Sequence, residues 1–151
     1  MKLEEAIQSD HFSSPLQRAS LNIMYTAWWL KTLVSKELKE FDLTHEQYNV
    51  LRILKGKHPT QMCVKDIGCR MIERSSNVPR IIDRLVLKKL VERSTSSEDK
   101  RETVVTLTTK GLDVLSRATD NIFPIFSGNT TLSNDEADSL NRLLEKLRKI
   151  D

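Results

Sequence analysis

Residues 75–111 read SSNVPRIIDRLVLKKLVERSTSSEDKRETVVTLTTKG, and this stretch decides the fold. Its first part has the 3.6-residue period of an amphipathic helix, which we expect to run from Ser75 or Ser76 to about Lys89. Its last part alternates with the two-residue period of a strand. The polar tip at 96–101 divides residues 91–107 into a hairpin. The sequence therefore predicts a helix followed at once by a β-hairpin.

The two faces of this helix differ in chemistry. One face carries apolar side chains that would face a core, which are Val78, Ile81, Ile82 and Leu85. A quarter of the circumference on the other side carries polar side chains, which are Asn77, Arg80, Arg84 and Lys88. Arginine and asparagine can pair with guanine and adenine edges in a major groove. An ordinary amphipathic surface helix shows the same division, and the hairpin that follows favours the DNA-binding interpretation.

Residues on either side of the polar face could contact DNA as well. Lys100 and Arg101 lie at the predicted hairpin tip, where a basic side chain could enter a neighbouring minor groove. Ser75 and Ser76, with the free amides of the helix start, are candidate phosphate contacts. Arg74, which precedes them, is a further candidate.

The preceding segments complete a helix-turn-helix. A short helix is predicted from about Cys63 to Met71, with a turn at 72–74 before the longer helix. Residues 57–61 are predicted to form a loop, and a capping box of Thr44 and Gln47 opens an earlier helix that ends near Gly56.

Long helices are predicted at both ends of the chain. Ser14, Pro15 and Gln17 mark the start of one that continues to Phe41 with two apolar stripes. Two stripes suggest two packing partners, which could be the chain's own body and a second chain, or the chain's own body on both sides.

After the hairpin, a helix from 109 is predicted to bend or end near Pro124, and Ser133 with Glu136 caps a last helix. The expected fold class is mainly α with a small β-hairpin, a winged helix-turn-helix within one domain of residues 1–151.

Composition and charge agree with a DNA partner. The chain of 151 residues has a net charge of +3, and residues 70–101 hold nine Lys and Arg against five Asp and Glu. No apolar run is long enough for a membrane span, and two cysteines suit a reducing cytoplasm. Phosphate-cradling, nucleophile-elbow and zinc motifs do not occur. We therefore expect a cytoplasmic protein that is not an enzyme and has no cofactor or metal.

The sequence resembles the MarR (multiple antibiotic resistance regulator) family of bacterial transcription regulators. The resemblance lies in the helix around Ser75–Leu85, in Leu90-Val91-Glu92-Arg93, and in a wing signature, D-x-R-x3-V-x-L-T-x-K-G, at residues 99–111. Lys89 departs from the pattern, because the family usually has glycine there and a left-handed residue costs lysine more.

The resemblance implies a homodimeric regulator, most simply a repressor, on a pseudo-palindromic operator of double-stranded DNA. Residues 14–42 and 109–151 would then be dimerisation helices, and 44–108 the DNA-binding winged helix. By matching position, Arg101 would enter the minor groove and Asp99 would orient the wing through a salt bridge.

Two regulatory hypotheses follow. Tyr25, Trp28 and Trp29 could line a pocket for a small aromatic effector, although core packing is the preferred explanation of such residues. Cys63 and Cys69 could act as redox sensors if exposed. A winged helix that serves only as a protein interaction module is the remaining alternative.

Overall fold

The computed structural model describes residues 1–74, 77–127 and 131–149. The helices within these ranges are α1 (Leu3–Ile7), α2 (Pro15–Leu38), α3 (His45–Lys55), α4 (Val64–Arg70), α5 (Val78–Leu87), α6 (Thr109–Ser127) and α7 (Asn134–Leu147), with a 3-10 turn (Lys39–Phe41) after α2. The strands are β1 (Met62–Cys63), β2 (Val91–Thr95) and β3 (Thr103–Leu107). The prediction of a mainly helical fold with a small β wing is confirmed.

Local capping chemistry sets where several helices begin. Ser14 Oγ accepts the backbone N–H of Gln17 at 3.1 Å, and Pro15 occupies the first position of α2. Thr44 and Ser133 open α3 and α7 with complete capping boxes. Each of these starts was predicted, because the cap is encoded within four consecutive residues.

The core lies between α2, the helix-turn-helix and α6 as far as Ile122. Its fully buried side chains come from every one of these elements and from the sheet: Leu38, Val50, Leu51, Leu54, Ile67, Ile82, Leu85, Val91, Val105 and Ile122. Burying a side chain of this size stabilises the fold by about 1.5–3 kcal/mol. The packing fixes α5 by Val78, Ile82 and Leu85, so that its other face points outward.

The sheet has three antiparallel strands in the order β1-β3-β2. The hairpin register pairs Val91 with Leu107 and Thr95 with Thr103, as the alternating pattern predicts. The third strand, β1, was not predicted, and the helix expected from Cys63 begins at Val64. A strand of two residues is too short to show alternation, and it exists because Met62 is buried beside β3.

The terminal helices differ from expectation in two places. Pro124 lies inside α6, which continues to Ser127, so of the two predicted outcomes, a bend or an end near Pro124, the end is wrong. The short helix α1 was not predicted, and it is linked to α2 by an ion pair of Glu4 with Arg18 at 2.7 Å. Within the described ranges, none of the helices has the length and apolar character of a membrane span.

Candidate nucleic-acid interface

The outward face of α5 carries two arginines one turn apart. Arg80 and Arg84 are exposed, and among the described residues neither forms an ion pair. Asn77 occupies the cap position before the helix and is also exposed. Ser75 and Ser76, predicted as the helix start and as phosphate contacts, lie outside the described residues. Two uncompensated guanidinium groups on a rigid helix suit a polyanion.

Lys88, predicted on the same polar face, is turned away from it. Its ammonium group lies 3.1 Å from Oδ2 of Asp42 and 3.1 Å from Oε1 of Gln47, and it also donates to the Asp42 carbonyl. Gln47 is buried near the start of α3. The Lys88 side chain therefore fastens the end of α5 to α3, and its charge is neutralised within the chain.

A second ion pair joins α5 to the wing. The guanidinium of Arg93 on β2 pairs with the carboxylate of Asp83 on α5. This pair was not predicted, since the partners lie on different elements and their proximity appears only in the folded chain. The contact fixes β2 of the wing relative to α5, whose outward face carries Arg80 and Arg84.

The wing tip is a hydrogen-bonded loop that presents two cations. Ser96 Oγ accepts the backbone N–H groups of Glu98 and Asp99 at 3.2 and 3.3 Å. Lys100 and Arg101 are both exposed beyond these bonds. Asp99 Oδ1 accepts the backbone N–H of Arg101 at 2.9 Å, and among the described residues it forms no ion pair. Asp99 therefore orders the tip through the backbone, whereas a salt bridge was expected.

The T-x-K-G segment after the wing holds the C-terminal end of α5. Thr108 Oγ1 donates to the Lys89 carbonyl at 2.8 Å and accepts the N–H of Gly111 at 2.9 Å. Lys110 Nζ donates to the Lys88 carbonyl at 3.0 Å. Carbonyls at a helix C-terminus lack hydrogen-bond partners within the helix. The Thr108 and Lys110 side chains supply these hydrogen bonds, and Lys110 also places a cation at the negative end of the helix dipole.

Arg74 is exposed in the turn before α5, which places it beside the arginine face in sequence. Within the part of the chain that the structure describes, the basic residues that remain exposed and form no ion pair at this surface are Arg74, Arg80, Arg84, Lys100 and Arg101.

The aromatic residues predicted for an effector pocket do not enclose one within a single chain. The Tyr25 and Trp28 rings are 5.5 Å apart, but Trp28 and Trp29 are 59% and 42% exposed. Trp28 borders an open concavity of about 430 Å³ beside Lys31 and other residues of α2. A cavity of about 520 Å³ lies elsewhere, lined by Tyr48, Arg52, Ile72, Phe123 and Phe126 among others.

The two cysteines occupy different environments. Cys63 is half-buried, and its Sγ accepts the N–H of Asp66 at the start of α4. Cys69 is exposed on the same helix.

The second helix of the helix-turn-helix presents arginines that form no ion pair among the described residues, and a three-stranded sheet with a basic tip follows it. Together these features define a winged-helix DNA-binding protein. The MarR family sequence profile matches residues 43–103. The HTH-type transcriptional regulator MgrA of Staphylococcus aureus is 32% identical over 116 residues, which are 75% of this chain and 75% of MgrA. The chain belongs to the MarR family, whose members regulate transcription by binding DNA.

Other relatives agree. YkoM of Bacillus subtilis, an uncharacterized HTH-type transcriptional regulator, is 34% identical over 119 residues, covering 74% of this chain and 71% of YkoM. A mutant MarR from E. coli, crystallised with operator DNA, is 25% identical with a TM-score of 0.74, over 99% of this chain and all of that one. The similarity thus extends from the helix-turn-helix to the terminal helices.

Proposed function

We propose that the protein is a sequence-specific transcription repressor that binds a pseudo-palindromic operator as a homodimer. The observation that carries the proposal is the pair of exposed arginines, Arg80 and Arg84, which lie on the α5 face opposite the core and form no ion pair with any other described residue. In this arrangement α5 enters the major groove and Arg84 or Arg80 reads base edges. Arg101 at the wing tip enters the adjacent minor groove, with Lys100 close to the phosphates.

The terminal helices supply the dimer in this proposal. The described helix α7 has no buried residue, and Leu140, Leu143 and Leu147 are 44%, 60% and 44% exposed. On α2, Met24 is 68% exposed. Apolar stripes of this kind are normally covered, so the stripe that α2 leaves open in one chain favours a second chain as its partner. Two α5 helices then lie about one DNA turn apart.

A small aromatic effector is proposed to relieve binding in the cytoplasm. The cavity lined by Tyr48, Arg52, Phe123 and Phe126 offers aromatic walls together with a cation and a hydroxyl. Ile72, which lines the same cavity, belongs to the turn that leads into α5. A ligand seated there could therefore shift the populations of α5 orientations.

The test is DNA binding at two salt concentrations. The purified protein is titrated with the DNA upstream of its own gene and with a scrambled duplex of the same composition. We expect tight, salt-dependent binding to the first only. Arg84→Ala should weaken specific binding by about 5- to 150-fold, the range for one bidentate base contact, and Arg101→Ala should also weaken it.

Lys57→Ala is the matched control, because Lys57 is exposed in the loop after α3 and its loss changes the net charge equally. The proposal is contradicted if the protein binds both duplexes equally and neither arginine substitution changes its affinity. That outcome would favour a winged helix used for protein interaction.

A further inference from the structure

The turn between α4 and α5 is tied to two other helices. Lys31 Nζ on α2 lies 2.7 and 2.9 Å from the two carboxylate oxygens of Glu73. The backbone N–H of Ile72 donates to Asn49 Oδ1 on α3 at 3.0 Å. Met71, the residue before, is buried in the core. Three consecutive residues just before the recognition helix are thus held by three different contacts.

The Lys31–Glu73 pair contributes little to the stability of the fold. Its side chains are 41% and 56% exposed, and solvent-exposed pairs add little to the free energy of unfolding. The hydrogen bond to Glu73 raises the pKa of Lys31, to which the negative charge of Glu46 adds. The ammonium group therefore stays charged at neutral pH. The main effect of the pair is to hold the turn before α5 in place relative to α2.

Position matters here because the pair connects the two parts that a dimer must coordinate. On the proposed function, α2 contacts the second subunit and α5 enters the groove. The helix α2 packs mainly on α6 and α3, so Lys31 gives it a direct side-chain link to the turn that precedes α5. Two α5 helices must reach successive grooves together, and an altered tilt of either weakens both contacts.

We infer that Lys31 and Glu73 are positioning residues which, together with Asn49, hold residues 71–74 so that α5 keeps its DNA-binding orientation relative to α2. The inference rests on the proposed function and adds a link that the recognition residues do not contain. On this inference, loss of the link lowers the population of chains whose α5 has the DNA-binding orientation.

Simple electrostatics predicts the opposite result for Glu73. Removing a carboxylate from a DNA-binding protein reduces repulsion of the phosphates, so Glu73→Gln should bind DNA as tightly as the parent or more tightly. The positioning role predicts weaker binding. Asp113→Asn is the matched control, since Asp113 is 66% exposed, its one ion pair among the described residues is with Arg117 of the same helix at 3.8 Å, and the substitution gives the same change of charge.

The experiment measures affinity for a duplex selected from random sequence by the full-length parent protein. The variants are Glu73→Gln, Lys31→Met, the charge-swapped double variant Lys31→Glu with Glu73→Lys, and Asp113→Asn, each at four salt concentrations. Thermal unfolding is recorded for each variant. We expect both single substitutions to weaken binding about 2- to 30-fold with little change in thermal midpoint. The swap should recover most of the loss, and Asp113→Asn should not weaken binding.

The outcomes separate the inference from the function on which it rests. A parent protein that selects no duplex overturns the proposed function and the inference with it. If the parent selects a duplex that Glu73→Gln binds at least as tightly, the inference alone is wrong. The slope of log affinity against log salt is negative, and loss of one phosphate contact makes it shallower by about 0.9. A shallower slope of this size in Lys31→Met would identify Lys31 as a phosphate contact and overturn the positioning role. The positioning role is also overturned if the charge-swapped variant binds the duplex no more tightly than the single variants.

Discussion

At the scale of single residues, Lys89 adopts a backbone conformation that suits glycine. Its φ is 61°, and a side chain in the left-handed region costs about 1–2 kcal/mol. The residue is exposed and follows the last turn of α5. The resemblance to the family identified this position, because the family usually has glycine there, and glycine is common at helix ends that need a left-handed residue.

Lys89→Gly should therefore raise the free energy of unfolding by about 1 kcal/mol, the difference between the relieved strain and the extra entropy of glycine in the unfolded chain. Urea unfolding followed by circular dichroism measures the change. Lys89→Gln removes the same charge and keeps the side chain, so it should give no gain. Equal stability of the two variants would show that the backbone conformation carries no penalty.

The residue scale also shows how far the site could be predicted. Helical spacing predicted Arg80 and Arg84 on one face, because it fixes the direction of each Cα–Cβ bond. The same spacing failed for the head group of Lys88, whose four-carbon chain reaches back to Asp42 and Gln47. Periodicity gives no information on where a long side chain ends.

At the scale of elements, the close approach of α6 to the end of α5 depends on Gly111. A Cβ at this position would lie 2.0 Å from the Leu90 carbonyl oxygen, and backbone atoms cannot move aside cheaply. We expect Gly111→Ala to lower the free energy of unfolding by about 3 kcal/mol, at the upper end for overpacking.

Gly56→Ala serves as the control for Gly111→Ala in thermal unfolding. A Cβ at Gly56 meets only carbonyl oxygens at 3.5 and 3.8 Å, which is ordinary contact distance. Its φ of −64° is also accessible to alanine. Similar midpoints for both variants would contradict the structural reading of the T-x-K-G segment.

The start of α7 gives that helix a dependence on pH. The backbone N–H of Ser133 donates to Glu136 at 2.8 Å and, with the Ser133 hydroxyl, lowers the pKa of Glu136 below its ordinary 4.5. A lowered carboxyl pKa stabilises the fold above the unfolded-state value. That contribution is lost as the pH falls through the folded-state value.

Glu136→Gln should therefore be less stable than the parent near neutral pH, and the difference should shrink below about pH 4.5. Chemical unfolding at a series of pH values from 7 to 3 measures it. Glu145→Gln makes the same charge change in the same helix, away from the cap. If the two variants follow the same pH curve, the capping carboxylate is not the cause.

Elements whose signals are local could be predicted, and those that depend on distant contacts could not. The N-caps at Ser14, Thr44 and Ser133, the last two with complete capping boxes, each lie within one helical turn. The strand β1 exists only because residues 62 and 63 meet β3, which is about forty residues away in sequence. No pattern within a two-residue strand could reveal that pairing.

At the scale of the whole molecule, a single chain leaves apolar side chains of its first long helix and its last helix uncovered. The described part of α7 has no fully buried residue, and α2 leaves Leu16 67% and Trp28 59% exposed, whereas the winged helix contains most of the buried core. Isolated helices of fourteen residues are marginal in water. The helix α7 therefore needs a partner surface, and apolar stripes at both ends of the chain are consistent with mutual burial in a dimer.

The last prediction concerns that dimer. Leu140→Gln with Leu143→Gln should convert the protein to a monomer in sedimentation equilibrium, because both side chains are exposed in one chain and are expected to be buried between two. The variant should also lose affinity for a full operator while binding a single half-site as the parent does, since α5 and the wing are unchanged. Leu87→Gln is the control: Leu87 is 82% exposed on α5, outside the terminal helices. A double variant that stays dimeric would place the subunit contact elsewhere, and the link from Lys31 to Glu73 would then have to act through a different surface of α2.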